Sequence, residues 1–130
     1  MTRNEALIAL NLSMDIGAVR LQRLLEVFGT PEEIFSASRE QLSAVHGIGS
    51  HTARSLAGFR PSMLEDEIRA ASKAGVTLVT IYDESYPRNL LFIDDRPIVL
   101  YVKGALAEND AMAIAIVGCR RPSFYGVEQA

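Results

Sequence analysis

Ala113-Ile114-Ala115-Ile116-Val117-Gly118-Cys119-Arg120-Arg121-Pro122-Ser123-Phe124-Tyr125-Gly126 is the stretch whose reading decides the fold. The apolar run from Met112 to Val117 lacks strict alternation, the pattern of a strand covered on both faces. Gly118 permits a sharp turn and the close approach of an anion. Arg120 and Arg121 bring charge, and Ser123 brings a hydroxyl or an N-cap. The helix that starts beyond adds its amides and positive dipole end. Such a strand–turn–helix suits a phosphate, and it normally opens a doubly wound sheet that needs several more strands and helices. The 130 residues are therefore expected to be the front part of a longer protein: one small domain plus the start of another.

Working outward, the residues before this stretch carry the same α/β character. Ile98 to Lys103, closed by Gly104, and Val76 to Tyr82 are rich in β-branched residues and read as strands. Between them lie a turn at Asp83–Pro87, a short apolar turn or helix at Asn89–Ile93 and a loop at Asp94–Pro97. Residues 105–111 are expected to form a loop or short helical turn. Ser62-Met63-Leu64-Glu65 has the spacing of a capping box that launches a helix to Ala74, ended by Gly75.

Ahead of residue 60 the pattern is all helical. Residues 5–13 read as a helix with Asn4 as N-cap, and Ala18–Phe28 as a second that ends at Gly29. On the second, Val19, Leu21, Leu24, Leu25 and Phe28 are placed on the core face, with Arg20, Gln22 and Glu26 opposite. Thr30-Pro31-Glu32-Glu33 and Ser38-Arg39-Glu40-Gln41 are two further capping boxes. Leu42 to Leu56 then resembles a helix-hairpin-helix pattern. Its Gly47-Ile48-Gly49 turn is flanked by apolar Leu42, Val45, Ala53 and Leu56. The two glycines keep that turn tight and leave the amides of the next helix facing outward, where a phosphate can sit. A shift of 32 residues lays Leu10 on Leu42, Ile16 on Ile48, Gly17 on Gly49 and Leu24 on Leu56. In that first copy Asp15 replaces the first glycine and would repel phosphate, so the copy reads as structural.

Composition sets the bounds. With 48% apolar and 22% charged residues the chain is globular, and a net charge of −3 advertises no global basic field. Eleven arginines against two lysines slightly favour bidentate phosphate recognition, though base composition of the genome gives the same bias. One cysteine, Cys119, rules out an internal disulfide and any multi-cysteine zinc site. No apolar run approaches the roughly 20 residues that span a bilayer. A cytoplasmic setting with no membrane association is expected.

The residues also resemble a known family. Tyr86-Pro87, Leu90, Asp95-x-Pro97, Val99-Leu100-Tyr101-x-Lys103-Gly104 and above all Ile116-Val117-Gly118-Cys119-Arg120-x-x-Ser123-x-Tyr125-Gly126 look like the DNA-processing protein A (DprA/Smf) family. The likeness runs from about residue 5 to residue 130. It implies an α + α/β architecture: a helix-hairpin-helix or SAM-like helical domain at 1–60, then the first strands of a truncated, extended Rossmann-like domain at 61–130. It also implies single-stranded DNA binding without catalysis or cofactor, in DNA processing, DNA recombination and natural transformation. Assistance to RecA loading is implied too, with a homodimer when full length. Carried over, Gly118, Arg120, Ser123 and Gly126 hold a backbone phosphate, with Arg121 and Tyr125 beside them. Cys119 departs from the family's usual Thr or Ser, and a thiol is the poorer donor.

Blander readings stand beside these. Gly118 could simply turn the chain. Gly47, Gly49 and Arg54 could touch a DNA backbone, or the hairpin could serve packing and partner contact alone. His46 and His51 lack companions at metal-ligand spacing, so no metal is expected. Cys119 has no histidine base near it in sequence and reads as an ordinary thiol. Glu65-Asp66-Glu67 complements a helix dipole. As an alternative function, a Rossmann-type nucleotide hydrolase of the lysine-decarboxylase-like group would need a Gly-Gly-x-Gly-Thr turn, and this chain has none. The G-x-G-x-x-G fingerprint is also missing. A helical protein-interaction module is the remaining alternative.

Overall fold

The structure, a computed structural model, describes residues 1–13, 16–107, 112, 114, 117, 118, 120, 121 and 123–128. Helix α1 spans Arg3–Leu12, two residues ahead of the expected start, because Thr2 and not Asn4 is the N-cap. The Thr2 hydroxyl accepts from the Glu5 amide at 3.2 Å and the Glu5 carboxylate takes the Thr2 amide at 2.7 Å, a complete capping box. Asn4 is thereby released for a long-range contact, and its Nδ2 donates to Asp83 Oδ1 at 2.7 Å.

Helix α2 (Ala18–Phe28) forms where expected and stops at Gly29, whose φ of 83° is left-handed. Its core face is narrower than read from sequence. Ala18, Leu21 and Leu24 are buried, whereas Val19 is 49% exposed. Residues two positions apart point about 200° away from each other on a helix of 3.6 residues per turn, so Val19 cannot share a face with Leu21. Helix α3 (Pro31–Ile34) is a single turn, with Thr30 capping the Glu33 amide. Helix α4 (Arg39–Ala44) carries the full Ser38–Gln41 box. Helix α5 (Ser50–Ala57) completes the second hairpin.

Helix α6 (Pro61–Lys73) starts before the expected Ser62 box can close. Pro61 at N1 presets a helical φ and lacks the amide that a cap would serve, so Arg60 becomes an N-cap without a side-chain bond. Strands β1 (Val76–Thr80) and β2 (Val99–Lys103) pair antiparallel, from Val76 opposite Lys103 to Thr80 opposite Val99. A 3₁₀ turn at Arg88–Phe92 lies between them, and α7 spans Phe124–Glu128.

Among the described residues the sheet has two strands, and the expected third strand is not one of them. Ile114 and Val117 lie outside any strand and are 91% and 88% exposed; Ala113, Ala115 and Ile116 fall outside the described residues. An apolar run signals a need for burial, but a strand forms only where a neighbouring edge takes up its amides and carbonyls.

One core crosses residue 60. Leu7, Leu10, Leu24 and Ile34 from the helices join Leu64 of α6 and Ile98 and Val99 at β2. Helix α1 is its axis: Ala6 to Leu10 are all buried, and the helix packs on α3, α6, β1 and β2. A helix apolar on every side belongs inside a fold. The strands are tied in by polar bonds as well. Asp83 Oδ2 accepts from the Thr80 amide at 2.7 Å and the Thr80 hydroxyl at 2.8 Å, while its other oxygen takes Asn4.

Candidate nucleic-acid interface

The tail turn is open to solvent. A Cβ built on Gly118 meets nothing within 4 Å, and Arg120, Arg121 and Ser123 are exposed. Ser123 does cap the helix: its Oγ accepts from the Gly126 amide at 3.2 Å. A hydroxyl that accepts still has its proton to give, so Ser123 can hold α7 and donate to an anion together. Tyr125 is 70% exposed and offers a ring face. Cys119 and Pro122 lie outside the described residues.

The second hairpin is built as its sequence implied. Leu42, Val45, Ile48, Ala53 and Leu56 are all buried. Gly47 has a φ of 84°, and a Cβ there would strike Arg23 Nη1. Gly49 is the N-cap of α5 without a side-chain bond, and the space beside it is empty to 4 Å. Arg54 lies in the last turn of α5, exposed to solvent.

Two arginines that the sequence placed elsewhere arrive here. Arg23 Nη1 donates to the His46 carbonyl at 3.3 Å, and Arg20 Nε donates to the Gly47 carbonyl at 3.2 Å. Both come from α2, more than twenty residues away in sequence. The available signal was the internal repeat. If two hairpins pack as a pair, the second helix of one lies against the turn of the other. The turn thus carries fixed positive charge beside exposed His46 and His51. Among the described residues no group of three or more His, Cys, Asp and Glu side chains could hold a metal.

The first hairpin differs at the same point. Gly17 is the N-cap of α2, again without a side-chain bond, but Asp95 Oδ1 lies 3.5 Å from its Cβ position. Asp15 falls outside the described residues.

The landmark residues of the α/β part are structural. Tyr86 is buried and its hydroxyl donates to the Pro97 carbonyl at 2.7 Å, which ties the turn after β1 to the entry of β2. Loss of solvation pushes its pKa up. The Tyr101 hydroxyl is pushed up to about 12, by desolvation first and then by the Glu67 carboxylate beside it. Glu40, in the first turn of α4, is held below its usual range by a backbone amide and then by Ser38.

A paired-hairpin helical unit docked on α/β elements, with basic turns at its surface, is a class of fold found in DNA-handling proteins. Residues 77–130 match the family of DNA recombination-mediator protein A, and residues 15–57 match a SAM-like helix-hairpin-helix tandem. Together the two matches correspond to an N-terminal portion of the DNA-processing protein A (DprA/Smf) family. No curated protein and no solved structure matches the chain. Among the described residues no helix is long and apolar enough to cross a membrane.

Proposed function

We propose that the chain serves a cytoplasmic, non-catalytic single-stranded DNA-binding protein of DNA processing and natural transformation. It assists RecA loading and acts as a homodimer when full length. Residues 1–60 are its helical domain and 61–130 begin its Rossmann-like domain. The observation that carries this reading is that the match over 77–130 ends in an exposed basic turn. There Gly118, Arg120, Ser123 and Gly126 receive a backbone phosphate, with Arg120 the main charge donor and Arg121 and Tyr125 alongside. An exposed aromatic ring adds a stacking face for a base.

Anisotropy of labelled oligo-dT with the full-length protein tests this over a salt series. Arg120→Ala lowers affinity and flattens the logarithmic salt slope by about 0.7 for each phosphate that is no longer neutralised. Unchanged affinity and slope would remove the turn from the site.

A second contact is proposed at Gly47, Gly49 and Arg54, favoured by the open N-terminus of α5 and the two arginines on its turn. The paired change Arg20→Ala and Arg23→Ala weakens oligo-dT binding with Arg120 intact. Binding equal to the parent would leave the hairpin to packing alone.

A further inference from the structure

Residues 58–60 separate α5 from α6, and a hinge between the hairpin unit and the strands would sit there. They are packed against the fold. Phe59 lies on the core, its ring centroid 5.1 Å from that of Phe35, and its amide donates to the Leu56 carbonyl at 3.1 Å. The Gly58 amide donates to the Arg54 carbonyl at 2.9 Å and so closes α5. A hinge needs a few residues free to absorb a change in φ and ψ. A swing at this point breaks an aromatic contact and the last turn of a helix.

A second attachment joins the two parts elsewhere, where the first turn of α1 closes on the turn after β1. Asn4 Nδ2 donates to Asp83 Oδ1 at 2.7 Å in a part-buried contact, and the Arg3 guanidinium stands 5.2 Å from the Tyr82 ring centre. Asp83 is itself held, because its Oδ2 accepts from the amide and the hydroxyl of buried Thr80. Thr80 lies opposite Val99, so the clasp reaches both strands. We propose that this clasp and the packed connection make the hairpin unit and the two strands one cooperative body. The change of architecture at residue 60 is then neither a hinge nor a folding boundary. Whatever the Gly47 turn holds is kept at a fixed place relative to β1 and β2.

Hydrogen exchange followed by mass spectrometry tests this, because it reads peptides from α2–α5 and from β1–β2 separately. In the parent the slowest amides of the two sets exchange at a common rate, that of global opening. Ser38→Ala removes the cap of α4, a side chain bonded to Gln41 within the hairpin unit. It speeds the slowest amides of both sets equally, by about fivefold. Leu42→Ala in the same helix speeds both further. Asn4→Ala also speeds both sets, and it adds nothing in an Asp83→Ala background. The proposal is overturned if the slowest amides of β1–β2 ignore Ser38→Ala and Leu42→Ala, or exchange at a rate of their own in the parent. Additive effects of Asn4→Ala and Asp83→Ala would dismiss the clasp in the same way.

Discussion

The two hairpins share a plan and differ in what covers their turns. Gly17 and Gly49 are both extended N-caps without a side-chain bond, and the aligned pairs Leu10 and Leu42, Ile16 and Ile48, and Leu24 and Leu56 are all buried. Yet α1 of the first hairpin is enclosed on all sides and Asp95 lies against its turn. The turn of the second faces solvent and is braced by arginines from the first. Both hairpins thus feed the one core, and the repeat leaves one turn covered and the other open. The first supplies the axis on which the strands dock. It also supplies two arginines to the second hairpin's Gly47-Ile48-Gly49 turn, which has no Arg or Lys of its own.

The largest break in this comparison is in the core. Leu10→Ala removes a fully buried side chain from the axis helix and costs about 2–5 kcal/mol in urea unfolding. Leu42→Ala, its counterpart in α4, costs less because α4 packs mainly on α5. If the two were equal, α1 would hold no special place.

Gly47→Ala comes next. A Cβ at a φ of 84° costs about 1–2 kcal/mol and must also displace the Arg23 guanidinium. Gly17→Ala, at a φ of −96° with only an ordinary contact to Asp95, costs about 0.5 kcal/mol or less. Thermal melts of the two variants would separate them, and a smaller loss at Gly47 would deny that its turn is conformationally fixed.

Smaller in stability but sharper in function is Gly49→Asp, which gives the second turn a carboxylate like the one beside the first. A capping acid raises stability by a few tenths of a kcal/mol while its charge repels phosphate. Oligo-dT anisotropy therefore falls as the melting point rises. Unaltered DNA binding would count against a backbone contact at this hairpin.

The smallest effect is alkaline. Folded Tyr101 holds its proton up to about pH 12, whereas an unfolded tyrosine releases it near 10. Its contribution is complete below pH 10 and is lost as pH rises through 12. Tyr101→Phe flattens the fall of stability over that window, because Phe has no proton to bind. The change is small, since the ring is 47% exposed and water screens Glu67.

The helical part was largely legible because its signals are local. Capping boxes, left-handed glycines and the Gly-h-Gly turn act within a few residues, and most formed as read. The misplaced starts of α1 and α6 have the same origin, since in each a stronger neighbour set the start: Thr2 took the cap position of α1, and Pro61 at N1 made Arg60 the N-cap of α6. The opening stretch was legible only in part. Its serine caps α7, but its apolar run says nothing of which edge it pairs with.

Sequence by itself therefore determined the helices, their paired hairpins and the two strands, because each follows from short-range preference and periodicity. Only the tertiary structure decided that Arg20 and Arg23 brace the Gly47 turn, that Asp95 rests against Gly17, and that Asn4 reaches Asp83 across 79 positions of chain. Those contacts depend on how α1 is enclosed, and enclosure is a property of the whole packed core that no local window of residues encodes.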